Sequence, residues 1–581
     1  MLLNKHLSSP VGPPIRLILS YLMALFLSTS AHANNQDPVQ AALKKQLANA
    51  NEHRVDGDVW PMTKTLYRNR DITPLWGTRE GINGQAKLAL KVLKRAAEHG
   101  LEPDEYATQW LEKRMRGLGG GLFSKPDPEA LAEFDLRLTQ AVLAYAGDQL
   151  DGRIEPNDVQ ELGGKDVYLE PRKADLVGDL DAAVTARRVD AMLNDLVPVH
   201  DGYHRLKDLL GKYRELASRE RWSKVEPGPM LESGDKGPRV LSLKRRLKES
   251  GDFHGNTQSD VYDREVAQAV ERFQLRNGIQ VDGVAGPGTL EALNETIAQR
   301  IERIKLNMDR WRWLPNDLGD RYVMINVPEF QLRLVEDGRE QLTMAVVVGK
   351  EMTPTPLFSD RMEYAVVAPY WKLPTSISHR EILPKVLEDR AYLEEKRYQI
   401  LDGHTLIDPD DIDWDRVPEE GFPYRMRQLP GPGNALGLVK FIFPNQFAVY
   451  MHDTPADQLF DKNLRAFSHG CIRLAEPFRF AEAILGDDKD WKQMALDATQ
   501  SSHAEPIRVD LDEPIPVYIT YFSVRVSHSG DQVRFLPDIY DFDKTSLALL
   551  EDRRRRFAEV LYDSSTRPFH SEPVSPVPQP Q

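Results

Sequence analysis

The chain holds one cysteine in 581 residues. It lies in Phe467-Ser468-His469-Gly470-Cys471-Ile472-Arg473-Leu474, and Tyr450-Met451-His452-Asp453-Thr454-Pro455 precedes it. A thiol with two imidazoles nearby has the residue types for nucleophilic chemistry. The thiolate attacks, and an imidazole raises its population by taking the proton.

Three chemistries use such residues. A zinc centre needs three or four ligands, and His452, His469 and Cys471 could supply three. However, His469 and Cys471 are only two positions apart and no second cysteine exists, so no metal is expected. A papain-like protease places its cysteine early and its histidine far downstream; here both lie late, with the histidine first. Acyl transfer through a thioester fits best. In this reading His452 ends a strand over residues 447–451, accepts the thiol proton and returns one to the leaving amine. Gly470 admits close backbone approach, so amide N–H groups at Gly470 and Cys471 are candidate oxyanion donors.

The elements around these residues read as strands. Residues 322–327, 331–335, 342–348, 364–368, 439–443 and 447–451 carry short β-type apolar runs, with Asp337-Gly338 as a hairpin turn. After the cysteine, 478–485 reads as a helix, and 507–509 and 517–527 as further strands. The period breaks over 370–433, a mostly charged, partly helical stretch broken by Pro374, Pro384, Pro418, Pro423, Pro430 and Pro432. An insertion of that length in a β domain suits a lid.

Upstream, residues 36–225 are helical, with Trp60, Tyr67, Trp76 and Trp110 expected in the core. Gly117-Leu118-Gly119-Gly120-Gly121 lacks the Lys-Ser/Thr ending of a phosphate loop. A small three-helix unit follows at 231–296. Val240, Leu243 and Leu247 line its first helix and Val266, Ala269, Val270 and Phe273 its second; Pro287 opens the third. A linker helix spans 297–319, the β-rich domain 320–530, and a C-terminal segment with a Pro-rich tail 531–581. Arg553 to Arg556 reads as the solvated face of a terminal helix. The fold class is multidomain α+β.

The net charge of −14 argues against a nucleic-acid partner, which needs a basic face. Residues 17–27 form a short apolar run after Lys5 and Arg16, and Ala31-His32-Ala33 has the small-x-small cleavage pattern, so residues 1–33 read as an export signal. Membrane contact is expected only if that signal is retained uncleaved.

His452 in its motif followed by Ser468-His469-Gly470-Cys471-Ile472-Arg473 resembles the catalytic motif of the L,D-transpeptidase family. Trp311-Arg312-Trp313-Leu314-Pro315, Trp371-Lys372-Leu373-Pro374 and the stretches 430–437 and 517–521 are similar to its large periplasmic subgroup. The unit at 231–296 resembles a peptidoglycan-binding domain, through residues 234–240, 269–274 and 282–290. The resemblance implies a helical scaffold, a peptidoglycan-binding bundle and a β-rich catalytic domain carrying a capping subdomain at 370–433. It implies Cys471 as nucleophile, His452 as proton acceptor and donor, and Gly470, His469, Ser468 and Arg473 as oxyanion or substrate-positioning residues. The implied reaction joins peptidoglycan stem peptides, as donor and acceptor, by 3→3 cross-links in the periplasm, without a cofactor and with acylation by carbapenems. Water or a lipoprotein lysine are the alternative acceptors, and a non-catalytic wall-binding protein is the alternative from another class. Asp453 stands where many smaller relatives carry Gly, which leaves open what orients His452.

Overall fold

The computed structural model of the chain describes residues 37–49, 59–118, 125–170, 172–431, 433–486, 491, 493–494, 497, 505–530 and 532–562. The expected export signal at 1–33, Gly119 to Gly121 and the Pro-rich tail lie outside the described residues. Among the described residues no helix is long and apolar enough to cross a membrane.

The N-terminal helices pack around the long helix Pro128–Leu150, most of whose side chains are buried. Trp60, Tyr67 and Trp76 are in that core, and Trp110 is half-buried with the Arg137 guanidinium 4.4 Å from its ring centroid. A two-residue hairpin, β1 (Gly77–Thr78) and β2 (Gly81–Ile82), sits on it. The scaffold does not stop at its own core. Its strand β3 (Val167–Tyr168) pairs in parallel with a strand of the β-rich domain, and Tyr203, Leu206 and Leu210 join that domain's apolar cluster.

The small unit has three helices, Pro238–Glu249, Arg264–Arg276 and Pro287–Asn294, over one core that includes Val240, Leu243, Leu247, Val266, Val270, Phe273 and Leu293. Pro opens the first and third helices, where its missing N–H costs nothing.

The β-rich domain is a sheet closed on itself. Its strands are β4 (Arg321–Asn326), β5 (Gln331–Glu336), β6 (Arg339–Gly349), β7 (Leu357–Val367), β12 (Val439–Ile442), β13 (Met451–His452), β14 (Ala466–Ser468), β15 (Ile472–Leu474) and β16 (Ile507–Thr520). The order β12-β13-β15-β6-β5-β4-β16-β7 returns to β12, because β7 pairs with both β16 and β12, while β14 pairs with β6. Closure leaves no long free edge. The hairpin turn at Asp337-Gly338 falls where expected, both residues having positive φ. Residues 507–509 and 517–520 are one bulged strand rather than two, and a separate hairpin, β17 (Val524–Val526) with β18 (Val533–Phe535), follows. The expected strand over 447–451 is mostly irregular, with Ala448 at φ 53, so His452 lies within a two-residue strand.

The stretch 370–433 has its own apolar core, which includes Leu373, Leu383, Val386, Ile400, Trp414, Phe422 and Met426. Besides short helices it holds a four-stranded sheet of β8 (Trp371–Lys372), β9 (Tyr398–Asp402), β10 (Thr405–Ile407) and β11 (Arg425–Gln428). A core separate from that of the closed sheet makes this cap a body of its own.

Two sequence expectations need correction. The helix Ile297–Arg312 is no linker, because Asn307, Asp309, Arg310 and Arg312 on it are buried. Arg312 donates to Asp309, to the Gln149 side chain and to the His99 carbonyl, and Arg153 donates to Asp309 from the scaffold. On its other side Arg310 bonds Asp543, and Asn307 bonds Ser523. These charges are paired across domains, which is what permits their burial. Likewise Arg553 in the helix Phe542–Tyr562 pairs with Asp148, and Arg554 with Glu302, so only Arg555 and Arg556 of that run fit a solvated face.

Candidate active site

Strand alternation gathers the residues that matter. Strand β13 runs antiparallel to β12 with Lys440 beside His452, and parallel to β15 with His452 beside Arg473. Residues two apart on a strand share a face. Lys440, His452 and Arg473 therefore share one face, with the Tyr450 ring centroid 5.7 Å from that of His452 and Cys471 just before the strand that carries Arg473. Phe441, Met451, Ile472 and Leu474 take the other and are buried in the core.

His452 is 4% exposed. Its Nδ1 lies 2.5 Å from the Asp453 carbonyl. A carbonyl only accepts, so Nδ1 carries the proton and Nε2 is left as a bare acceptor. The Asp453 backbone is itself pinned. Its N–H donates to the Val439 carbonyl at 2.9 Å, and its carboxylate accepts from the Leu438 and Thr454 amides at 2.8 and 2.7 Å. The ring orienter left open by sequence is thus the Asp453 main chain, and the side chain that replaces Gly holds that main chain still. Burial and the adjacent Arg473 push the His452 pKa down to about 3; Lys440 adds to this and the Asp453 carbonyl opposes it.

Cys471 is partly exposed, and its thiol donates to the Ala448 carbonyl at 3.8 Å. The Tyr450 amide and hydroxyl lie beside the sulfur and favour its thiolate form. Burial pushes the thiol above its ordinary value, against the pull of Tyr450, Arg473 and Lys440. At neutral pH Cys471 is therefore a neutral thiol and His452 a neutral imidazole.

The loop before the cysteine is shaped by Ser468 and Gly470. The buried Ser468 hydroxyl accepts from the Gly470 amide at 3.1 Å and donates to the Cys471 carbonyl at 2.5 Å. Gly470 has φ 114, which L side chains rarely adopt. His469 turns to the cap instead, its Nε2 2.7 Å from Glu381 Oε1.

Arg473 makes no ion pair among the described residues, and its Nε is buried without a partner. Lys440 is half-buried and also lacks an acidic partner among them; its Nζ lies 5.3 Å from the Tyr450 ring centroid. Burial and Lys372 of the cap lower the Lys440 pKa. The field on this face is positive, which favours a thiolate, an oxyanion or a ligand carboxylate and disfavours imidazolium. Sequence reasoning passed over Tyr450, Lys440 and Lys372. A lysine inside the apolar run 439–443 was the available signal. Among the described residues no three or more His, Cys, Asp or Glu side chains cluster as a metal ion would need.

Residues 320–508 match the model of the L,D-transpeptidase catalytic domain, residues 62–210 that of the scaffold domain, and residues 236–293 that of the "Putative peptidoglycan binding domain". A "Putative L,D-transpeptidase" of Haemophilus influenzae is 33% identical over 247 residues, which are 42% of this chain and 48% of that protein. The match thus spans about half the length of that relative. Among solved structures, the L,D-transpeptidase (residues 123–326) of Xylanimonas cellulosilytica is 16% identical with a TM-score of 0.16, over 51% of this chain and 98% of that one. The L,D-transpeptidase of Stackebrandtia nassauensis is 14% identical with a TM-score of 0.20, over 51% and 96%.

Proposed function

We infer that this chain, which carries an L,D-transpeptidase catalytic domain at 320–508, is a peptidoglycan L,D-transpeptidase working through a thioester on Cys471. The observation that carries the reading is the placement of Cys471 just before the strand paired with that of His452, with Nδ1 tied to the Asp453 carbonyl and Nε2 free to accept. The thiol proton passes to His452 Nε2 as the contact to Ala448 is given up. The sulfur then attacks the carbonyl of the third, diamino acid residue of a tetrapeptide stem. The C–N bond to the terminal D-Ala breaks, and His452 protonates the leaving amine.

The side-chain amine of a second stem attacks the thioester and yields its proton to His452. The thiol is restored and a 3→3 cross-link is formed. Arg473, with Lys440 and Lys372, offers cations to substrate carboxylates, and His469 and Ser468 position the loop. The unit at 236–293 supports wall association, and the cap over the site supports exclusion of water from the thioester. Export by residues 1–33 would deliver the mature enzyme to the periplasm. A carbapenem, a strained acyl donor, should trap the same thiol.

The test is digestion of sacculi after incubation with enzyme. The reading predicts 3→3 dimers; trimmed tripeptides without dimers would make water the acceptor and overturn the cross-linking assignment. Attachment of a lipoprotein lysine would make the enzyme a wall-anchoring one.

A further inference from the structure

The back of the Cys471 loop is walled by residues 349–355. Gly349 lies so close beneath this wall that a Cβ there would meet the Thr353 carbonyl at 2.2 Å and the Thr355 nitrogen at 2.7 Å. The Lys350 amide and the Thr353 hydroxyl donate to the Ser468 carbonyl at 3.0 and 3.2 Å. Thr355, fully buried, accepts from the Gly349 amide at 2.9 Å and donates to the Gly470 carbonyl at 2.8 Å. The buried Tyr540 hydroxyl closes the set, accepting from the Thr355 amide at 3.2 Å and donating to the Gly349 carbonyl at 2.5 Å.

Tyr540 lies outside the matched catalytic domain and is held from two sides. Its amide donates to the Tyr521 hydroxyl at 3.0 Å, and the scaffold's Lys165 donates to its carbonyl.

The Gly470 carbonyl and the Cys471 N–H belong to one rigid peptide plane and point in opposite directions. Glycine makes a flip of that plane cheap. A flip would aim a carbonyl, rather than an N–H, at the place where the oxyanion develops. The Thr355 hydroxyl selects one orientation, and the Cys471 N–H takes no backbone carbonyl among the described residues.

We propose that Thr355 and Tyr540 are positioning residues for acyl transfer, aiming the Cys471 amide as an oxyanion donor through the Gly470 carbonyl. This rests on the thioester reading above. The scaffold and C-terminal segment thereby supply part of the catalytic geometry.

Full-length Thr355→Val, Thr355→Ser and Tyr540→Phe enzymes are acylated with a carbapenem under stopped flow, and alkylated in parallel with iodoacetamide. Alkylation needs the thiolate but develops no oxyanion. Thr355→Val should lower the maximal acylation rate ~10²-fold, with half-saturation and alkylation changed by no more than about twofold. Thr355→Ser should recover most of that loss, and Tyr540→Phe should cost ~10-fold, the scale of one buried hydrogen bond. Acylation of Thr355→Val at the wild-type rate would overturn the proposal, as would an equal loss in both reactions. Wild-type enzyme that alkylates but never acylates would overturn the thioester reading and this inference with it.

Discussion

The two sides of the Cys471 loop are held by opposite means. Behind it, the hydroxyls of Ser468, Thr355 and Tyr540 are buried and hydrogen-bonded, and the wall continues through Tyr540 to Tyr521 and Lys165. The helix Ile297–Arg312 locks scaffold and closed sheet together in the same manner, with buried ion pairs. In front, the cap meets the loop through the half-exposed pair His469–Glu381, and among the described residues the cations Lys440 and Arg473 have no acidic partner. On the proposed function, a fixed back would preserve the geometry of attack while a lightly held front would let stems enter and leave. Changes behind the loop should therefore cost far more than changes in front.

The largest effect is expected at the base itself. His452→Gln should slow acylation by ~10²–10⁴-fold, measured under single turnover, because it removes the proton acceptor. Next is the buried junction. Asp309→Ala strands Arg153 and Arg312, both fully buried, and should cost ~3–5 kcal/mol of unfolding free energy in denaturant titration. A loss under about 1 kcal/mol would mean that the back is not held by those pairs.

Acid sensitivity comes third. The folded pKa of His452, about 3, lies below its unfolded value near 6.5, so the unfolded chain takes up the proton first as pH falls. Stability is therefore intact above pH 6.5 and is lost on acidification toward 3, at ~1.4 kcal/mol per pH unit from this residue. The difference between wild type and His452→Gln in denaturant midpoints from pH 7 to 4 isolates that slope. Parallel curves would contradict a neutral buried imidazole.

The smallest effect belongs to the front. Glu381→Gln should change stability by less than ~1 kcal/mol, as for other partly exposed pairs, and act on half-saturation for stem peptide more than on the maximal rate, increasingly so at low salt. A collapse of the maximal rate would place the cap inside the chemistry and erase the contrast.

The reacting pair was legible in sequence, and little of the wall behind the loop was. Cys471 and His452 stand out as types, and alternation in 439–443 and 322–327 marks strands with one apolar face. The cap's sheet was not visible, because its strands are two to five residues long and lie among charges and prolines. The burial of the helix Ile297–Arg312 was hidden because the partners of Asp309, Arg310 and Arg312 lie far away in sequence. Thr355 meets the loop across 115 residues of chain and Tyr540 meets Thr355 across 185, and no local pattern announces such contacts. Asp453 looked like a departure from a motif and proved to be the clamp on the carbonyl that orients His452.

The central claim is that Cys471 is acylated with His452 as its base. Intact-mass spectrometry after incubation with a carbapenem or a tetrapeptide donor tests it most directly. The account predicts one adduct per chain on wild-type protein, localised by peptide mapping to Cys471, none on Cys471→Ala, and a slow appearance on His452→Gln. An adduct that persists in Cys471→Ala, or its absence from wild type, would contradict it.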